Sequence, residues 1–576
     1  MGKKDLLIRR LKVLTMFMLV SVFILSACTN NQSTTNKQLN PMSKEDSEGF
    51  EKGKFDPAVS ISTAHCNNNL PFRDGESVED NVHTKWAKEE LGINIEYDWT
   101  TNSEQCGQKV RLAMAANQEL PDAFVVYDKQ LLGELIQAGK VMDISQAFEE
   151  FASDQVKEIY SKDTSYWYPV SKDGAKYGLP LLNESLVNDP VLYYREDWLK
   201  ELGLKVPSNF EELEKVMDEM LKADLNGDGK KDAPLAMAFK NDLNPFATWM
   251  SDSSWVFGGH GVIPGYWNTW NKNGKLEYGS IQPEVKEALE RLNKWFDKGY
   301  ISADAGLHDE RTASEQFTSQ KSGIVAGPNW MYNWPIKASL MQNNPDAKVT
   351  PALVPSGPEG VGRLGTAATS GTLVVRKDFK HIDALMLYIN KLFEYSAAPE
   401  GSPYENGWAE GYDYVVKEDG SISKDRADFP NEEPIRVDKY FITEIQMIDP
   451  FKRLEIIGDL YNGKKPQTPL ERAYFSEAPK EEQNNPALNK SWQSISLLLE
   501  QKDQSIQDLF LGAPTETMLS KGEALRTLEI ETFISIIYGK TPVSEFDAFV
   551  KKWREMGGDE ITEEVNEWYE SAAAEE

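Results

Sequence analysis

The sequence predicts an α/β fold of at least two domains. Short β-branched runs alternate with helical segments, and the runs are nearly continuous in apolar residues. A chain of 576 residues with 40% hydrophobic and 11% aromatic content also exceeds what one core accommodates. Helices between successive strands imply a parallel sheet covered on both faces, which is where continuously apolar strands belong.

At the start, Lys3, Lys4, Arg9, Arg10 and Lys12 precede an apolar run over 13–27 that ends Leu25-Ser26-Ala27-Cys28. The run is shorter than the roughly 20 residues a spanning helix needs, so 1–27 reads as a secretory signal. Its end resembles the bacterial lipobox, which makes Cys28 the expected lipid attachment point. Residues 28–55 are polar and aromatic-poor, and read as a flexible tether. The mature protein is then expected at the extracellular face of the cell membrane, lipid-anchored but working in water.

Val59–His65, 93–99 and 123–127 follow as strands, with a helix over 105–117. Cys66 closes the first strand and Cys106 opens the helix after the second. In an oxidising compartment they can form a single disulfide, or remain two buried thiols. Ser208-Asn209-Phe210-Glu211 gives a capping box for a helix whose Phe210, Leu213, Met217 and Met220 share one face. Residues 321–327 (KSGIVAG) and 371–376 (GTLVVR) read as further strands. Near the end Phe546, Phe549, Val550 and Trp553 recur at helical spacing, with Gly557-Gly558 as the stop.

The formal charge of −30 becomes −34 once 1–27 is removed, a balance that disfavours nucleic acid and anionic membrane surfaces as partners. The five histidines make no HExxH spacing, and neither a G-x-S-x-G elbow nor a P-loop is present. A glycosidase needs only two placed carboxylates, so a secreted lipoprotein enzyme acting on polysaccharide remains an alternative on composition.

LAMAANQELPDAFVV followed by LIQAGKVMDIS, KYGLP and YYREDWLKELGLKVPSNFEELEKVM resembles the extracellular solute-binding proteins of carbohydrate ABC importers. KSGIVAGPNW and the closing IIYGKTPVSEFDAFVKKWREMGGDEITEEVNEWY narrow the likeness to the large Gram-positive lipoprotein branch of family 1, related to alginate-binding periplasmic proteins. The resemblance implies a two-lobed periplasmic-binding-protein fold with several hinge crossings. Lobe 1 would span 56–183 with a return segment at about 360–450, and lobe 2 would span 184–358 with C-terminal helices at about 451–576. The crossings would lie near 182–187 and 354–362, with a third later. It also implies a monomeric binding protein and not an enzyme. Such a protein holds an oligosaccharide in the interlobe cleft and delivers it to ABC permease subunits. A peptide-binding or sensory lipoprotein is the other alternative.

DLNGDGKKDAP, residues 224–234, carries the spacing of a calcium loop. Asp224, Asn226 and Asp228 offer side-chain oxygens, Gly229 permits the sharp turn, Lys230 offers its carbonyl, and Asp232 completes the set. Leu235 stands where an EF-hand has a bidentate Glu, and a strand replaces the second helix, so a sensor's helix swing is excluded. By resemblance the loop holds a structural calcium, with Ala233 where a further carboxylate is usual. A plain Asx/Gly turn is the alternative.

Sugar binding asks for flat aromatic platforms with carboxylates and amides around them. Trp330 and Asn329 in GPNW, Tyr127-Asp128 after DAFVV, and Trp99 all stand at strand ends, where open α/β sheets place ligands. Glu184 lies at the first crossing. Trp255 and Trp270 come from the tryptophan-rich stretch 249–270. His65 is a weaker candidate, since a lone histidine at a strand end is more often structural.

Overall fold

A computed structural model of the chain describes residues 47–66, 70–241, 244–271 and 273–573. The expected signal sequence, Cys28 and the expected tether as far as residue 46 lie outside them. Among the described residues no helix is long and apolar enough to cross a membrane.

The strands used below are β1 (Val59–His65), β2 (Ile93–Thr100), β3 (Ala123–Val126), β4 (Leu179–Leu182), β5 (Val191–Arg195), β6 (Leu235–Ala236), β7 (Ile324–Gly327), β8 (Val349–Ala352), β9 (Arg363–Leu364), β10 (Thr369–Val375) and β11 (Ser505–Ile506). The helices are α1 (Ser103–Ala115), α2 (Lys129–Gln137), α3 (Phe210–Lys222), α4 (Glu310–Thr318), α5 (Lys452–Tyr461), α6 (Glu545–Trp553) and α7 (Asp559–Ala572).

Two lobes are built on separate cores. One buried cluster joins Phe55 through Leu182 to Leu373 through Met447, and so assembles lobe 1 from two stretches of chain. Two adjoining clusters make lobe 2, from Leu186 through Val354 and from Leu454 onward. In lobe 1, β1 and β2 are parallel, while β10 runs antiparallel between β3 and β4. Asp122 ties the two groups together: its amide donates to Ser62 Oγ at 3.0 Å and its carboxylate accepts from the Ser62 amide at 2.9 Å. In lobe 2, β5 runs antiparallel between β7 and β8, and β6 is parallel to β7.

The purely parallel sheet expected from the sequence is therefore corrected to mixed sheets. In each lobe the strand adjoining a crossing (β10, β5) enters from the hinge edge and must run against its neighbours. All residues of β4 and β5 are buried, as their continuous apolar runs require.

Three crossings join the lobes. The first, over 183–190, runs beside the second, over 365–368. The Asn183 amide donates to Ala368 O at 2.9 Å, and the Thr366 amide and hydroxyl both donate to Asp189 Oδ1 at 2.9 Å. The second crossing lies downstream of the expected 354–362, because that stretch stays on lobe 2, where the Ser356 amide bonds Ser208 O at 3.0 Å. The third passes Pro450, whose carbonyl accepts from the Ser185 amide at 3.0 Å. Asp189 is fully buried against Arg363, 3.2 Å away, and Ser505 also donates to it.

Three local expectations shift. Residues 47–55, expected to belong to the tether, pack on lobe 1, because Phe50 meets Phe151 edge-on at 5.0 Å and the Phe55 amide bonds Leu91 O at 2.8 Å. The cap of α3 is Asn209, while Glu212 reaches back to the Ser208 amide at 2.9 Å, one residue later than read. Gly557, with φ of 127°, joins α6 to α7 instead of ending the helices. The disulfide left open by the sequence is present: Cys66 bonds Cys106 with Cα atoms 5.5 Å apart, pinning the end of β1 to α1.

Candidate functional site: the seam between the lobes

The sheet registers decide which edges face the hinge. Leu182, the last residue of β4, pairs with Thr369, so Asn183, Glu184 and Ser370 stand at the hinge edge of lobe 1. Val191, the first residue of β5, pairs with Gly327, so the carboxyl end of β7 and the Asn329 and Trp330 that follow it stand at the hinge edge of lobe 2.

A cavity of about 460 Å³ opens at this seam, lined from lobe 1 by Gln155, Asn183, Glu184 and Ser370, and from lobe 2 by Arg453 and Tyr474. Glu184 accepts from Arg453 Nη1 at 2.9 Å, and the Arg453 guanidinium lies over the Tyr474 ring at 5.7 Å. Burial pushes the Glu184 carboxyl up against the opposing pull of Arg453, and burial also pushes the Tyr474 hydroxyl up to about 12. Amide, hydroxyl, carboxylate and guanidinium groups around an aromatic face suit a polyhydroxylated ligand.

Tyr474 and Leu470 pack against the same buried cluster of lobe 2 as Trp249 and Trp330. There Trp249 and Trp330 lie 5.3 Å apart, and Trp334 is stacked on Trp330 at 6.4 Å. Trp334 is 46% exposed. On the facing lobe Tyr127 is 43% exposed, and its hydroxyl donates to Glu444 Oε2 at 3.3 Å. Glu444 is otherwise buried, takes the Cys66 amide at 2.7 Å, and has its carboxyl pushed up by burial.

The seam gathers some of the residues expected from the sequence and leaves out others. Trp330, Tyr127 and Glu184 stand there. Asp128 stands beside Tyr127, but its carboxylate caps α2, taking the Gln130 amide at 2.9 Å, and pairs with Arg111 at 2.8 Å. Asn329 is buried, with its amide aimed at the Leu186 and Val187 carbonyls of the first crossing. Trp99 is half-buried on the lobe 1 core under Lys109, 5.2 Å from its ring. Trp270 is half-buried against the lobe 2 core.

Trp255 is corrected outright. It is fully buried between Phe210 and Trp295, and its indole nitrogen donates to Asp252 O at 2.9 Å, so no face is left for a ligand. His65 is buried too, with Nε2 2.8 Å from Lys439 O. Arg453 and Tyr474 were missed by sequence reasoning; the expected third crossing was the signal, since both follow it closely.

The 224–232 loop takes up its own polar groups. The Gly229 amide donates to Asp224 Oδ2 at 3.0 Å and the Lys230 amide to Asp228 Oδ1 at 2.8 Å. Asn226 Nδ2 donates to Asp232 Oδ2 at 2.7 Å and to Gln320 O at 3.0 Å. The donor chemistry suits calcium, but among the described residues the carboxylates do not converge into a metal-holding group. In this arrangement the Asn226 amide nitrogen faces Asp232, where a cation would require its oxygen.

A profile of the bacterial extracellular solute-binding proteins matches residues 71–402, more than half of the chain. The chain belongs to that family. Among its relatives, the polygalacturonan/rhamnogalacturonan-binding protein YtcQ of Bacillus subtilis is 24% identical over 466 residues, 76% of this chain and 82% of that one. Lipoprotein LipO of the same organism is 22% identical, over 87% of this chain and 91% of its own. Among solved structures, an HMO binding ABC-transporter associated solute-binding protein from Bifidobacterium longum infantis superposes with a TM-score of 0.60 at 16% identity, covering 89% of this chain and 99% of that one. At that identity the likeness concerns the fold.

Proposed function

We propose that this solute-binding protein captures an oligosaccharide between its lobes and presents it to the permease of an ABC importer. The observation that carries this reading is the seam itself: a polar cavity walled by both lobes, with the exposed Tyr127 ring after β3 and the exposed Trp334 ring stacked on Trp330 after β7. A ligand touching both walls favours closure about three crossings, and closure is the signal a permease can read. The saccharide named for YtcQ supports a carbohydrate ligand. The resemblance of Leu25-Ser26-Ala27-Cys28 to a lipobox, together with the lipoprotein relative, supports anchoring through Cys28.

Melting temperature measured against oligosaccharides and peptides tests the reading. An upward shift with at least one oligosaccharide is expected, of about 2.7 kcal/mol at a ligand concentration 100 times Kd. A response to peptides alone, or release of new reducing ends from polysaccharide, would overturn it. Loss of labelled palmitate on Cys28→Ala tests the anchor.

The 224–232 loop is proposed to bind a structural calcium, with Asp224, Asn226, Asp228, Lys230 and Asp232 as the donor set, once the Asn226 amide turns its oxygen inward. The alternation of three aspartates with Asn226 supports this.

A further inference from the structure

Among the described residues one arginine at the hinge edge of lobe 2 has donors that no protein group takes. In this chain 92 acidic residues face 62 basic ones. Among the described residues each other arginine side chain meets a carboxylate or a backbone carbonyl. Arg311, on the first turn of α4, donates to neither. Its guanidinium instead lies over the exposed Trp334 ring, 5.6 Å from the centroid.

Stacking uses the flat face of a guanidinium and leaves its rim of N–H donors free, in the fork that matches a carboxylate. Arg311 is itself exposed. The fold also sets it at the hinge edge of lobe 2. The carbonyl of the adjoining Glu310 takes the Ser251 hydroxyl at 3.4 Å, and the Ser251 amide bonds Ala326 O, at the carboxyl end of β7, at 2.8 Å. An unpaired arginine in so acidic a protein is a vacancy for an anion, and the neighbouring indoles select the kind of molecule that carries it.

We infer that Arg311 and Trp334 form a subsite for an acidic sugar, with Trp334 covering a pyranose face and Arg311 forking its carboxylate. This rests on the saccharide reading above and deepens it to uronate-bearing chains. Because α4 lines no part of the seam cavity itself, the pair sets specificity beside it and leaves the Glu184–Arg453 wall to hold the neutral hydroxyls.

The experiment measures calorimetric binding of galacturonate, mannuronate and guluronate trisaccharides, their methyl esters and maltotriose. Wild type, Arg311→Met and Trp334→Leu are compared. An acid trisaccharide should bind, and esterification or Arg311→Met should each weaken it roughly tenfold or more, the scale of a charged hydrogen bond. Arg311→Met should not weaken the ester further, whereas Trp334→Leu should weaken acid and ester alike. Equal affinity for acid and ester, or an unchanged Arg311→Met, would overturn the inference. Binding of maltotriose without any acid sugar would overturn it and leave the saccharide reading standing; binding of no saccharide would remove both. Because Arg311 and Trp334 are exposed, unchanged melting temperatures verify that the variants fold.

Discussion

The hinge and the 224–232 loop handle their carboxylates in opposite ways. At the hinge Asp189 is fully buried, and its two oxygens take four donors from Arg363, Thr366 and Ser505, residues far from it in sequence. In the loop, Asp224, Asp228 and Asp232 are served by Gly229, Lys230 and Asn226, all within a few residues. The hinge closes its electrostatics with the fold, whereas the loop offsets three negative charges with backbone amides, one side-chain amide and the exposed Lys230 ammonium, 3.8 Å from Asp228 Oδ2. Both Asp189 oxygens are taken by donors drawn from across the fold, whereas the loop's carboxylates, where a calcium is proposed, are served only from within the loop.

The largest test of that contrast removes one partner at the hinge. Arg363→Met leaves Asp189 buried without its counter-charge and should cost about 3–5 kcal/mol in a denaturant melt. Replacing Asp189 with Leu in the same chain should recover part of the loss. If Arg363→Met is silent, the pair does not hold the crossings.

A pH titration comes next. Asp252, beside the hinge strand β9 through a Ser254 hydroxyl that takes the Leu364 amide at 3.0 Å, is fully buried, and burial pushes its carboxyl up to about 7. The folded state therefore holds a proton that the unfolded state releases near 4. This group's contribution makes stability fall as pH rises between about 4 and 7. Asp252→Asn should flatten the slope of melting temperature between about pH 4 and 7; an unchanged slope would show that Asp252 is ionised throughout.

For the loop, calcium at 100 times its Kd should raise stability by about 2.7 kcal/mol, and a chelator should reverse the shift. Asp224→Asn with Asp228→Asn should abolish the response. The smallest effect is expected from Asn226→Ala without calcium, about 1 kcal/mol, because it removes only local hydrogen bonds. A larger loss would mean that the contact to Gln320 anchors the loop to lobe 2.

Much of the framework was legible because it follows from local pattern. The strand runs at 59–65 and 93–99, the α3 stripe of Phe210, Leu213, Met217 and Met220, and the Phe546–Phe549–Trp553 stripe are all observed, the second strand continuing to Thr100. The antiparallel return of β10 was not legible, since periodicity reports which residues are buried and not which way a neighbour runs. Nor was the difference between Trp255 and Trp330. Both are tryptophans in aromatic-rich stretches, and only tertiary packing buries the first against Trp295 while leaving the second at an edge. Arg311 gave no sequence signal, because its distinction is the absence of a partner in space.

The last helix of the chain grips the opposite lobe. Tyr168 of lobe 1 meets Trp568 at 6.4 Å and Tyr569 at 5.9 Å, and the Ser571 hydroxyl lies 3.3 Å from Asp173. A widening of the seam on that side would part those rings. Trp568 is therefore a built-in optical gauge, whose emission would follow each opening without an added label, and an affinity tag fused behind α7 would sit on the moving part.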